Sequence, residues 1–129
     1  MTYYYAKTLA LPFDQAVAAT REALKDEDFG VITEIDVRQT MKSKIGKDFR
    51  PYLILGACNP TMAYEALQLE DKVGTMLPCN VIVQDAGDGQ TEIAAIDPVA
   101  SMQSIPNAAL KDQASSVGKK LRAALDRLE

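Results

Sequence analysis

The stretch VGTMLPCNVIVQDAGDGQTEIAAIDP, residues 73–98, decides the fold class. Its first part, residues 73–87, is rich in β-branched and apolar residues and reads as a strand. DAGDGQ (85–90) is a turn, and TEIAAIDP (91–98) returns as a second strand, so the segment is an antiparallel hairpin. Pro78 lacks a ladder donor, and a bend is expected there in the first strand.

Working outward, TYYYAKTLA (2–10) reads as a strand with Tyr3 and Tyr5 on one face and Tyr4 on the other. In the next segment Phe13, Val17, Thr20 and Leu24 repeat with helical period and predict an amphipathic helix ending near Phe29-Gly30. VITEIDV (31–37) alternates Val31, Thr33, Ile35 against Ile32, Glu34, Asp36, the pattern of a half-buried strand. Val37, Met41 and Ile45 then mark a short helix stopped by Gly46. RPYLILGAC (50–58) is a buried strand, and NPTMAYEALQLED (59–71) a helix with Asn59 as N-cap and Pro60 in its first turn. The final helix starts near Asn107 and carries the stripe Leu110, Ala114, Val117, Leu121, Leu125, Leu128.

The order is β-α-β-(short α)-β-α-β-β-α. With one hairpin and singly striped helices, it predicts a two-layer α+β sandwich, a mainly antiparallel sheet with helices on one face. The other face, carrying tyrosines and small apolar residues, would suit a second copy, so a homodimer is expected.

Composition narrows the function. At 129 residues the chain has material for one domain, spanning 1–129, and one hydrophobic core. A net charge of −4 argues against a general nucleic-acid binder. Histidine is absent, which excludes Ser-His and Cys-His nucleophile pairs and histidine metal ligands. Neither a secretory leader nor a membrane-length apolar run is visible, so a soluble, cytoplasmic protein is expected, with no membrane partner. There, a stable disulfide between Cys58 and Cys79 is not expected.

The ordered set DFGVITEIDV, KIGKDFRPYLILGACNP, MLPCNVIV and AIDP resembles the domain-of-unknown-function family 302, DUF302, over nearly the whole chain. The resemblance implies a small α+β domain that tends to form dimers. It marks Gly56, Cys58, Asn59, Pro60, Pro78, Cys79, Asp97 and Pro98 without giving any of them a role, and it names no activity or cofactor.

The residues themselves point to Cys58, Asn59, Pro60 and Cys79 as the site. Cys58 precedes a helix start, whose free N–H groups and dipole favour an anion and would make a thiolate there more reactive. In a thiol-handling domain Cys79 would be the resolving partner or co-ligand. Cys58 and Cys79 are the candidate metal ligands, too few for structural zinc unless a dimer supplies four. A small anionic ligand at the Asn59–Pro60 helix start is a third reading. Beside these stands simple packing, because free cysteine is among the most buried residue types. Adjacent strands joined by one helix are expected to be parallel, through a right-handed crossover. That arrangement does not by itself bring the two cysteines together.

A different class is also open: an enzyme with Asp97 as acid–base and Lys42, Lys44, Lys47 or Arg50 binding an anionic substrate. Its signature would be a concave site containing Asp97 and a basic side chain.

Overall fold

The hairpin forms around a turn whose residues Gly87, Asp88 and Gly89 all have positive φ, 83°, 54° and 74°. Glycine enters this region freely and aspartate tolerates it, which is why DAGDGQ turns here. The computed structural model describes residues 2–129. In chain order the elements are β1 (Tyr4–Leu9), α1 (Phe13–Asp26), β2 (Gly30–Asp36), α2 (Val37–Ile45), β3 (Tyr52–Cys58), α3 (Pro60–Leu69), a 3-10 segment (Asp71–Met76), β4 (Cys79–Gly87), β5 (Gln90–Ile96), α4 (Pro98–Ser101) and α5 (Ala108–Asp126). The five strands make one sheet in the order β1-β5-β4-β3-β2, and every neighbouring pair is antiparallel. This is the expected α+β architecture.

α1 and α5 pack on one face of the sheet. Leu24, Leu121 and Leu125 meet Leu55, Val81, Val83 and Ile93 in the main core, all of them fully or almost fully buried. Thr20, inside the same stripe, satisfies its hydroxyl by donating to the Ala16 carbonyl at 2.7 Å. A second, smaller cluster joins Ala66, Val73, Met102, Leu110 and Ala114, where the chain length predicts a single core. The α5 stripe serves both: Leu110 and Ala114 belong to the small cluster, Leu121, Ala124 and Leu125 to the main one.

The opposite sheet face carries the cross-strand row Ile35–Ile54–Ile82–Ala94–Ala6, one residue from each strand. Tyr4 and Tyr52 line a shallow depression on this face. Tyr5 points the other way, its hydroxyl donating to Asp126 at 2.5 Å.

Four local expectations change. Residues 73–76 are 3-10 helix rather than strand, so β4 begins at Cys79 and Pro78 precedes the ladder instead of bending it. The apolar character of Val73 serves the second cluster, and an apolar run alone does not tell sheet from other burial. β2 is an edge strand with a bulge between Val31 and Thr33, and most of it is exposed rather than half-buried. The bulge leaves Ile32 62% exposed, while Glu34 turns toward the helices and pairs with Arg21. Tyr3 precedes β1 and places its ring edge against Tyr4, centroids 5.0 Å apart, rather than aligning with Tyr5. Finally, β3 and β4 are antiparallel, not a parallel crossover pair. The 3-10 segment folds the chain back along α3, so β4 starts at the end of the sheet where β3 stopped.

Candidate functional site

That reversal decides the site. Cys58 is the last residue of β3, Cys79 the first of β4, and the register pairs Cys79 with Ala57, the neighbour of Cys58. Between them α3 is launched as the sequence predicts. The Asn59 side chain accepts from the Met62 N–H at 3.1 Å, and Pro60 occupies the first turn, where its missing N–H costs nothing.

The glycine before the cysteine has a separate reason. A Cβ on Gly56 would collide with Thr33 Oγ1 and lie 2.7 Å from Pro78 Cγ. Gly56 is thus the place where β2 and the entry to β4 close over β3. Pro78, which joins Leu77 through a cis peptide, stands beside Cys79 to fill the space that Gly56 leaves.

A cavity of about 300 Å³ opens here, where the two apolar clusters meet. Cys58 and Cys79 both line it, with Met62 from α3, Met102 after α4, Phe29 before β2 and Val117 from α5. Among the described residues no lysine, arginine, aspartate or glutamate lines the wall. Its two amides are engaged in structure: Asn59 caps α3, and Gln113 Nε2 donates to the Met62 carbonyl at 2.7 Å and to Glu65 Oε2 at 3.2 Å.

The two thiols are free and differ in exposure. Cys58 is half-buried, whereas Cys79 is 8% exposed. Burial pushes the Cys79 thiol up to about 11, with a smaller contribution from Cys58 beside it. At neutral pH Cys79 is therefore a protonated, poorly nucleophilic group. Among the described residues, no group of three or more histidine, cysteine or acidic side chains is placed to hold a metal.

Asp97 lies at the same end of the sheet but outside the cavity lining. Its Oδ1 accepts from the Val99 N–H at 3.0 Å as the cap of α4, and Oδ2 lies 3.8 Å from Arg122. The basic stretch is at the other end, beside the start of β3. Lys42 pairs with Asp48 at 3.1 Å, and Arg50 donates to Gln84 at 2.9 Å and stacks over Phe49 at 4.4 Å. The structure does not bring Asp97 together with Lys42, Lys44, Lys47 or Arg50.

Met62, Met102, Phe29 and Gln113 are site residues that the sequence does not single out. Methionine and phenylalanine in apolar segments look the same whether they fill a core or line a hollow in it.

Comparison with known proteins agrees with this architecture. The model of DUF302, a domain of unknown function, matches residues 5–128. The crystal structure of an uncharacterised conserved DUF302 protein from Bacillus stearothermophilus superposes with a TM-score of 0.92 at 32% identity, covering 100% of both chains. Among curated proteins, none matches the sequence.

Proposed function

Since the chain belongs to the DUF302 family, whose description carries no activity, we propose a function from the cavity: the protein is a non-enzymatic binding domain for a small uncharged ligand. The site comprises Cys58, Asn59 and Cys79 with the apolar wall around them; Pro60, which the sequence groups with them, is exposed and lies outside the lining. One observation carries this reading: a hollow of about 300 Å³, the lower end of ligand-pocket sizes, with no charged side chain lining it. An anion entering it would lose its hydration and meet no cation in return. Polarity therefore favours a neutral ligand over the anionic one, although α3 begins at its edge. Thiol exchange is supported less well than binding, because Cys79 is not a thiolate at neutral pH.

Ligand-induced amide shifts test this with two probes of similar size, toluene and benzoate. Toluene is expected to shift Cys58, Met62 and Val117, benzoate to leave them in place, and Ala63→Phe, which fills the hollow, to abolish the toluene response. Equal shifts from benzoate, or none from toluene, would remove the uncharged-ligand reading.

We place one such domain over residues 1–129, in a reducing cytoplasm that fits two free cysteines, as half of a homodimer. The open sheet face supports the dimer: Ile35 is 49% exposed and Tyr4 42% exposed on a face carrying a continuous apolar row. Native mass spectrometry should give twice the chain mass for the wild type and the single chain mass for Ile82→Lys. A wild-type monomer would end the dimer proposal. No helix among the described residues is long and apolar enough to cross a membrane.

A further inference from the structure

The chain contains two cysteines and five methionines, and this one hollow collects both cysteines and two of the methionines. They arrive from four separate places: Cys58 at the end of β3, Met62 in α3, Cys79 at the start of β4 and Met102 after α4. Met102 is 5% exposed, so its sulfur is held inside rather than displayed on the surface. Among the lining side chains, sulfur is the donor that remains once the two engaged amides are set aside.

Thiolate and thioether are soft donors that select Cu(I)-like ions, whereas magnesium and calcium require oxygen. Charge narrows the choice further. A monovalent ion on a single thiolate, completed by neutral thioethers, has no net charge, and an apolar wall accepts it without a counter-ion. Zinc on the same three donors would keep a positive charge, and with no carboxylate in the wall its balance would require the buried Cys79 to give up a proton as well. Methionine has three rotatable bonds, so thioethers that come from two different parts of the chain, Met62 in α3 and Met102 after α4, can adjust to a shared ion.

We propose that the cavity is a site for one soft monovalent metal ion, of the Cu(I) and Ag(I) class, bound by the Cys58 sulfur and the Met62 and Met102 thioethers. Cys58 is the thiolate donor because it is the more exposed of the two cysteines and its proton has a path to solvent. On binding, the S–H bond breaks, an S–metal bond forms and one proton is released, with no change of oxidation state. Cys79 lies beside the site as a fourth sulfur. This inference rests on the reading of the cavity as a binding site and shares its requirement that the bound species be neutral as a whole.

The test is a titration of the reduced, metal-free protein with Cu(I) under nitrogen, in competition with bathocuproine disulfonate. One ion per chain is expected, Cys58→Ser should abolish binding, and Met62→Leu and Met102→Leu should each weaken it by at least about tenfold. Leucine is close to methionine in volume, so the Leu variants should melt like the native chain without metal. Wild-type affinity in both Leu variants would overturn the site. So would binding that needs both cysteines and neither methionine, or zinc bound as tightly as Cu(I). The toluene experiment on the metal-free protein separates the two proposals. Toluene shifts without Cu(I) uptake would remove the ion and keep the cavity as an organic-ligand site. Cu(I) uptake without toluene shifts would do the reverse, and neither response would end both.

Discussion

Gly56→Ala is expected to destabilise the protein by about 3 kcal/mol, the upper part of the range for inserting a methyl group where none fits. The new Cβ has two neighbours to displace, Thr33 Oγ1 and, at 2.7 Å, Pro78 Cγ. Thr33 is on the edge strand, directly opposite Gly56 and next to the bulge, so it has some freedom to retreat. Pro78 is a rigid ring held between Leu77 and the first ladder residue of β4, and it has little. Thr33→Ala in the Gly56→Ala background should therefore recover only part of the loss, since it removes one of the two collisions. Urea denaturation of the wild type, both single variants and the double variant measures this. A Gly56→Ala variant within about 0.5 kcal/mol of wild type, the usual range for an inconsequential surface change, would show that the close approach is unimportant. Because Pro78 also lines the cavity, the same substitution should weaken toluene binding.

The second large effect is on pH dependence. In the unfolded chain Cys79 ionises near 9; in the folded protein burial holds its thiol protonated up to about 11. A raised acid pKa means that between these two values the unfolded state has lost a proton that the folded state retains. Stability is then unaffected by this group below pH 9 and falls as pH rises from 9 to 11. Two pKa units correspond to about 2–3 kcal/mol. Tyr5, whose hydroxyl donates to Asp126 and is pushed up from 10.0 chiefly by that bond, contributes a fall of the same sign that begins only above pH 10. The comparison that isolates Cys79 is the slope of unfolding free energy against pH in wild type and in Cys79→Ala. The variant should lose stability less steeply between pH 9 and 11, and parallel slopes would mean that Cys79 ionises in the fold as readily as it does unfolded.

Much of this molecule is legible residue by residue. The stripe from Leu110 to Leu128 makes one helix, Gly46 stops α2 in the left-handed conformation at φ 67°, and the glycines around Asp88 turn the hairpin. Asn59 and Pro60 start α3 where their chemistry says they should. Each of these is a local matter, settled by side-chain shape, backbone freedom or a hydrogen bond within a few residues. Errors fall where neighbours distant in sequence decide. Val73 reads as strand because it is apolar, but Met102 and Leu110 are what bury it. Ile32 reads as one side of an alternating strand, but the bulge turns it to the rim of the cavity.

The same division holds for the site. The chain's residues by themselves point to two cysteines and the Asn59–Pro60 helix start as functionally suggestive, and they exclude histidine chemistry. That β3 and β4 run antiparallel is visible in the folded chain and nowhere else; it places Cys58 and Cys79 at one end of the sheet, with Met62 and Met102 lining the same hollow. The tertiary structure also decided that Asp97 and the basic stretch lie at opposite ends. The physical reason is that helix periods, caps and turns depend on energies exchanged over a few residues. Strand order, and the space left between two cores, depend on how the whole chain packs.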